Sequence, residues 1–223
     1  MAFEDYSPEQ LRLLLKAAYT ALADYEAKIR CIGAGAAKLD DENERIQAAN
    51  NQLLKMLTID PLTGVASRLG ITETIEKESI FAKRRKTPLC LIFFDIDRFK
   101  EINDGADLGH EAGDAILRQM GARLRRTLRP YDEIGRWAGD EFIVVLRDTT
   151  LEQAGSVAER LRKIVADKPF EYDGKSVTVT ISQGVAERQP NELAATLVHR
   201  ADQAMYRAKE RGGNHIVLDG RPQ

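Results

Sequence analysis

Leu89-Cys90-Leu91-Ile92-Phe93-Phe94-Asp95-Ile96-Asp97-Arg98-Phe99-Lys100 is the stretch on which the fold turns. Its first six residues form a continuous apolar run, too short for an ordinary helix and without polar alternation. Such a run predicts a strand buried on both faces, at the centre of a sheet. Two acids and a lysine follow at once. Carboxylates at the end of a buried strand are costly unless solvent, a partner or a cation compensates them. Two of them, two residues apart with a carbonyl between, suit a hard cation such as Mg²⁺, and Lys100 is within reach of a phosphate. A polar strand end that simply meets solvent is the competing reading.

Downstream, Ala112 to Leu128 carries Ile116, Leu117, Met120, Leu124 and Leu128 on one side, an amphipathic helix. Phe142-Ile143-Val144-Val145-Leu146 is a second buried strand. Leu151 to Val165 is a helix, Val177 to Ser182 alternates as a strand, Glu192 to Arg211 is helical, and His215 to Leu218 closes the series. Helix-separated strands with a hairpin in the middle predict an α+β sandwich. Its core is ferredoxin-like or nucleotide-cyclase-like, with a central, mainly antiparallel sheet flanked by helices.

Upstream, residues 1–57 are of another kind and are expected to form a helical dimerisation or regulatory region ahead of a domain spanning 58–223. Ser7-Pro8-Glu9-Gln10 is a helix start, with a Ser cap, Pro at the first helical position and Gln three residues after the cap. Leu11, Leu15, Ala18, Leu22, Tyr25 and Ile29 then recur in alternating steps of four and three, a coiled-coil seam. Gly33-Ala34-Gly35 interrupts it, and Leu39, Ile46 and Leu53 resume at heptad spacing. A helical hairpin and one long interrupted stalk both fit. In either case a second copy of the chain is expected to complete the packing; a hairpin packed on its own domain is the alternative.

The 223 residues are 30% charged and 43% hydrophobic, with a net charge of −2. No basic excess points to nucleic acid or an anionic membrane. No apolar run approaches the ~18 residues a bilayer needs. Met1-Ala2-Phe3-Glu4-Asp5 does not open a signal peptide. Cys31 and Cys90 lie in unrelated segments, which suggests neither a disulfide framework nor a zinc site and fits a reducing cytoplasm.

A second acidic cluster, Ala138-Gly139-Asp140-Glu141, precedes the strand at Phe142. Alone it reads equally well as a tight turn with solvated acids. If its strand neighbours the one ending at Asp95, the two clusters converge on a site able to bind Mg²⁺ and a triphosphate and to support phosphoryl transfer.

From about Asp60 to Leu218 the chain resembles the GGDEF domain of diguanylate cyclases. Asp60-Pro61-Leu62-Thr63-Gly64 looks like the family's opening motif. Asp95 to Asp104 and Gly109-His110-Glu111-Ala112-Gly113-Asp114 resemble its metal and base-binding segments. Ala138 to Phe142 resembles its signature, and Ala201 to Lys209 its C-terminal helix. The resemblance implies two GTP condensed to cyclic di-GMP, with Mg²⁺ or Mn²⁺ held by Asp95, the Ile96 carbonyl and Asp140. It implies that Asp140 or Glu141 deprotonates the 3′-hydroxyl. Asn103 and Asp114 would read guanine, His110 would support the base-binding turn, and Lys100 and Lys209 would hold phosphates with backbone at Arg98, Phe99 and Gly139. Each domain would bind one GTP, so two must face each other and dimer geometry would set the rate. Arg129-Pro130-Tyr131-Asp132, nine positions before Ala138, resembles the RxxD product-inhibition motif, with Arg160 contributed from a partner domain. Arg136 is expected to brace the signature turn. A regulatory protein partner for the stalk stays open.

Three departures stand out. Ala138 replaces the first signature Gly. The loop Gly105-Ala106-Asp107-Leu108 is two residues longer than the family spacing. Gly213 stands where an Arg is common, with Arg211 as a substitute phosphate ligand. Two other functions compete with the cyclase: a degenerate domain that only receives cyclic di-GMP, and a nucleotidyl cyclase with another product. Asp114 favours guanine.

Overall fold

In the computed structural model the described residues are 57–104 and 109–219, with the helical residues 9–10, 12–14, 16–26, 28, 42–43 and 45–47 of the N-terminal region. Two compact units divide the chain, Met1–Leu54 and Lys55–Gln223. In the first, the described residues are helical and exposed, the expected seam positions Leu22 and Tyr25 among them. The interrupting Gly33 and Gly35 and the long Gly105–Leu108 loop lie outside the described residues. No described helix is long and apolar enough to cross a membrane.

The second unit runs α1 (Arg68–Arg85), β1 (Leu89–Ile96), α2 (Phe99–Asp104), α3 (Gly109–Thr127), β2 (Glu133–Ala138), β3 (Glu141–Arg147), α4 (Leu151–Ala166), β4 (Phe170–Tyr172), β5 (Lys175–Val177), β6 (Ile181–Glu187), α5 (Ala194–Glu210) and β7 (Ile216–Asp219). The main sheet has the order β2-β3-β1-β6-β7, antiparallel throughout except for the parallel pair β6–β7. β4 and β5 form a separate hairpin.

The run that opened the sequence is the middle strand, and every residue of it is buried. Alternation divides its side chains between two layers. Cys90, Ile92 and Phe94 pack with Ile116, Met120 and Leu124 of α3 and Ala158 and Leu161 of α4. Leu89, Leu91 and Phe93 pack with Ile71 and Ile75 of α1 and Leu197, Ala201 and Met205 of α5. The α+β sandwich with a mainly antiparallel sheet is therefore the observed fold.

Two segments differ from expectation. α3 begins at Gly109, one turn before Ala112, because Gly109-His110-Glu111 continues the helix backwards. Val177–Ser182 is not one strand: Val177 ends β5 and Ile181 begins β6. Between them Thr180 leaves the ladder to bond Asp97, its carbonyl accepting from Asp97 N at 2.9 Å.

The segment before α1 seals one side of the sheet. Ala66 N donates to the Ile134 carbonyl at 3.0 Å, and the Ala66 carbonyl accepts from Arg136 N at 2.8 Å. Ser67 then caps α1, its hydroxyl accepting from Gly70 N.

Candidate active site

Alternation sends Asp95, the residue after Phe94, toward the α1/α5 layer. Its partner across β1–β3 is Glu141, which shares a face with Ile143 and Val145 of that same layer. The β2–β3 turn adds Asp140, whose carbonyl accepts from Ile96 N at 3.4 Å. Lys209, near the end of α5, puts Nζ 2.7 Å from Asp95 Oδ2. Asp95, Ile96, Asp140, Glu141 and Lys209 are thus brought to one place, where β1 ends and β3 begins.

The electrostatics are those of crowded carboxylates. Burial pushes the Asp95 carboxyl up to about 6; the Lys209 hydrogen bond opposes the rise, while Asp140 and Glu141 add to it. Burial likewise raises Glu141, helped by Asp202 and Asp140 and opposed by Lys209 and Arg68. Such a site attracts a cation.

The turn is braced from outside. Arg136 Nε donates to the Gly139 carbonyl at 2.8 Å, and its Nη1 lies 3.4 Å from Asp60. Asp60 in turn accepts from Thr63 N at 2.8 Å, so the opening motif supports the signature. Gly139 has φ +38, while Ala138 has no positive φ, so the departure from glycine at 138 strains nothing.

The expected base and phosphate residues lie on the segments after β1. Arg98 turns the chain at φ 56, Phe99 is buried at the start of α2, and Lys100 is exposed. Asn103 packs on α3 at Gly113, where an added Cβ would lie 2.0 Å from Asn103 Oδ1. His110 and Asp114 are exposed on the first turns of α3, with Asp114 3.7 Å from Arg118. Arg211 is exposed at the end of α5.

Asp97 does not join Asp95 as half of a cation pair. Its carboxylate accepts from Thr180 Oγ1 and Ser182 Oγ at 2.6 Å each and from Asn214 N at 2.7 Å. It ties the end of β1 to β6 and to the turn after α5. Gly213, at φ +78, lies against the same carboxylate, and a Cβ there would be 3.0 Å from Asp97 Cγ.

Arg129 and Asp132 form a turn at the other end of β2. Arg129 N donates to Asp132 Oδ2 at 3.3 Å, and Asp132 N donates to the Arg129 carbonyl at 3.0 Å. Both line a cavity of about 330 Å³ with Arg125 and Leu128. Arg160 is exposed on α4 and borders a different groove, so one domain does not bring it to Arg129.

Sequence reasoning missed Asp202 and Arg68. Asp202 sits seven residues before Lys209, two helical turns along one face of α5, and that spacing was its signal. Arg68 stacks over Trp137, 4.7 Å from the ring centroid, beside the signature turn; no spacing announces it.

The family model described as diguanylate cyclase, GGDEF domain, matches residues 57–215. Diguanylate cyclase DgcP of Pseudomonas aeruginosa is 42% identical over 168 residues, 75% of this chain; the chain spans only 25% of that protein. The crystal structure of diguanylate cyclase SiaD with its activator SiaC, also from Pseudomonas aeruginosa, is 30% identical. It covers 94% of this chain and 80% of its own, with a TM-score of 0.70. The coiled coil and GGDEF domain of DgcB from Caulobacter crescentus, in complex with c-di-GMP, is 27% identical. It covers 84% of this chain and 98% of its own, with a TM-score of 0.73.

Proposed function

We propose that this chain, which belongs to the GGDEF family of diguanylate cyclases, condenses two GTP into cyclic di-GMP and two pyrophosphates. The observation that carries the proposal is the meeting of Asp95, Asp140 and Glu141 with Lys209 at adjoining strand ends. Asp95, the Ile96 carbonyl and Asp140 are the groups to hold Mg²⁺ or Mn²⁺, which when bound neutralises the triphosphate and polarises the attacked phosphorus.

The chain's own groups do the rest. Lys209 pairs with Asp95 and, at the mouth of the site, can re-pair with an arriving phosphate; Lys100, exposed on α2, is a second phosphate ligand. Glu141, its carboxyl raised by burial, is suited to take the proton of a 3′-hydroxyl, with Asp140 as the alternative base. Asp114 accepts from the guanine N–H groups and the Asn103 amide donates to its O6, and a base that cannot match them is rejected. One domain holds one nucleotide, so two must face each other. The exposed N-terminal helices support a homodimer and offer a surface for a regulatory protein, as SiaD binds SiaC. The substrate places the reaction in the cytoplasm.

Incubating the chain with GTP and Mg²⁺ tests this. Cyclic di-GMP is the expected product. Binding of cyclic di-GMP without turnover would instead favour a receptor acting through Arg129, Asp132 and Arg160, and a mixed or adenine product would favour a different cyclase.

A further inference from the structure

The acids gather at the pole where β1 ends. The pole where β1 begins carries a cluster of cations. Lys83, Arg84 and Arg85 fill the last turn of α1, and Lys86 caps it in the left-handed conformation at φ 57. Lys83 and Lys86, together with Arg188 just after β6, line a cavity of about 630 Å³. Pro88 and Pro190 give it apolar walls, and Thr87 adds a hydroxyl. Glu187 is the one acid among the described lining residues, and it is engaged, its Oε2 accepting from Leu151 N at 2.7 Å. Arg188 Nε is buried and, among the described residues, has no hydrogen-bond partner. A buried donor left unmatched is destabilising, the more so when charged, unless a ligand supplies the acceptor.

We propose that this cavity binds the phosphate group of a small phosphorylated molecule, with Arg188, Lys83 and Lys86 as its ligands. Three cations lining one cavity from two segments suit a dianion better than a single carboxylate, and the guanidinium supplies directional donors that ammonium groups lack. The cavity is of the size that holds small ligands.

It is separate from the sites already described. The seven residue steps of extended chain from Pro88 to Asp95 put it roughly 20 Å from the acids. The Arg129–Asp132 turn opens on a cavity with different walls.

The test is titration of the ¹⁵N-labelled chain with inorganic phosphate, without nucleotide or divalent cation, following amide shifts. Saturable shifts are expected at Lys86, Thr87 and Arg188. Arg188→Met and Lys86→Gln should each weaken them about tenfold, while Lys209→Met and Arg129→Ala leave them unchanged. Lys86 is exposed, so its variant decides the matter should Arg188→Met fail to fold. An unchanged constant in Lys86→Gln, no shift at these amides, or equally tight binding of acetate would overturn the proposal.

Discussion

Asp95 is 5% exposed, and burial lifts its carboxyl from an ordinary 3.8 to about 6. Between those values the folded chain binds a proton that the unfolded chain has released. The stability from that proton is fully present below pH 3.8 and is lost as pH rises through 6. Two units correspond to about 3 kcal/mol. Asp95→Asn should therefore melt above the parent at pH 8 and level with it near pH 3.5; equal melting at both values would contradict the assignment. For Asp140→Asn, on a partly exposed turn, the expectation is an unchanged circular dichroism spectrum and a loss of cyclic di-GMP formation of about a hundredfold or more. Near-parental turnover would remove Asp140 from the chemistry. Asp95, Asp140 and Glu141 were legible because acids beside buried strands need compensation. The role of Asp97 was not, since a two-residue spacing is silent about hydroxyls arriving from β6.

α5 owes its position to contact between backbones. A Cβ on Gly184 of β6 would lie 2.0 Å from the Ala201 carbonyl and 2.1 Å from Met205 N. Neither can withdraw, so Gly184→Ala should cost about 3 kcal/mol or more by chemical denaturation. A change under about 1 kcal/mol would mean the helix lifts freely. The β2–β3 hairpin depends on side chains instead. Arg136→Ala should lower turnover more than it lowers melting temperature, because it frees the turn and leaves the strands paired. The helices with a full apolar face, α3 and α4, were legible. α1 was not: its buried face is Gly70, Ile71, Ile75, Ser79 and Ala82, with only two large apolar residues to mark the period. β2 escaped notice because Gly135 interrupts it, and Gly135 is required where Ile71 would meet a Cβ at 2.5 Å.

For the whole molecule, the expected device is the pairing of two domains through the N-terminal helices. Removing residues 1–54, the first compact unit, should depress turnover at low protein concentration and restore it at high concentration, with mass measurements following the same curve. Full activity of a monomeric fragment would refute that role. The heptad steps carry the expectation of a paired stalk; they do not say whether the glycines fold it back, because glycine permits both a turn and a break.

The bridge at Ala66 has a consequence for how these molecules meet. A six-residue edge strand such as β2 is ordinarily a template on which another chain can add itself. Here the Ile134 carbonyl and the Arg136 N–H are already bonded to Ala66. That bridge interrupts the edge for strand addition, and the sheet's opposite border, β7, is only four residues long. An interrupted edge on one side and a short one on the other leave such domains less prone to knit their sheets into an aggregate when they come close together.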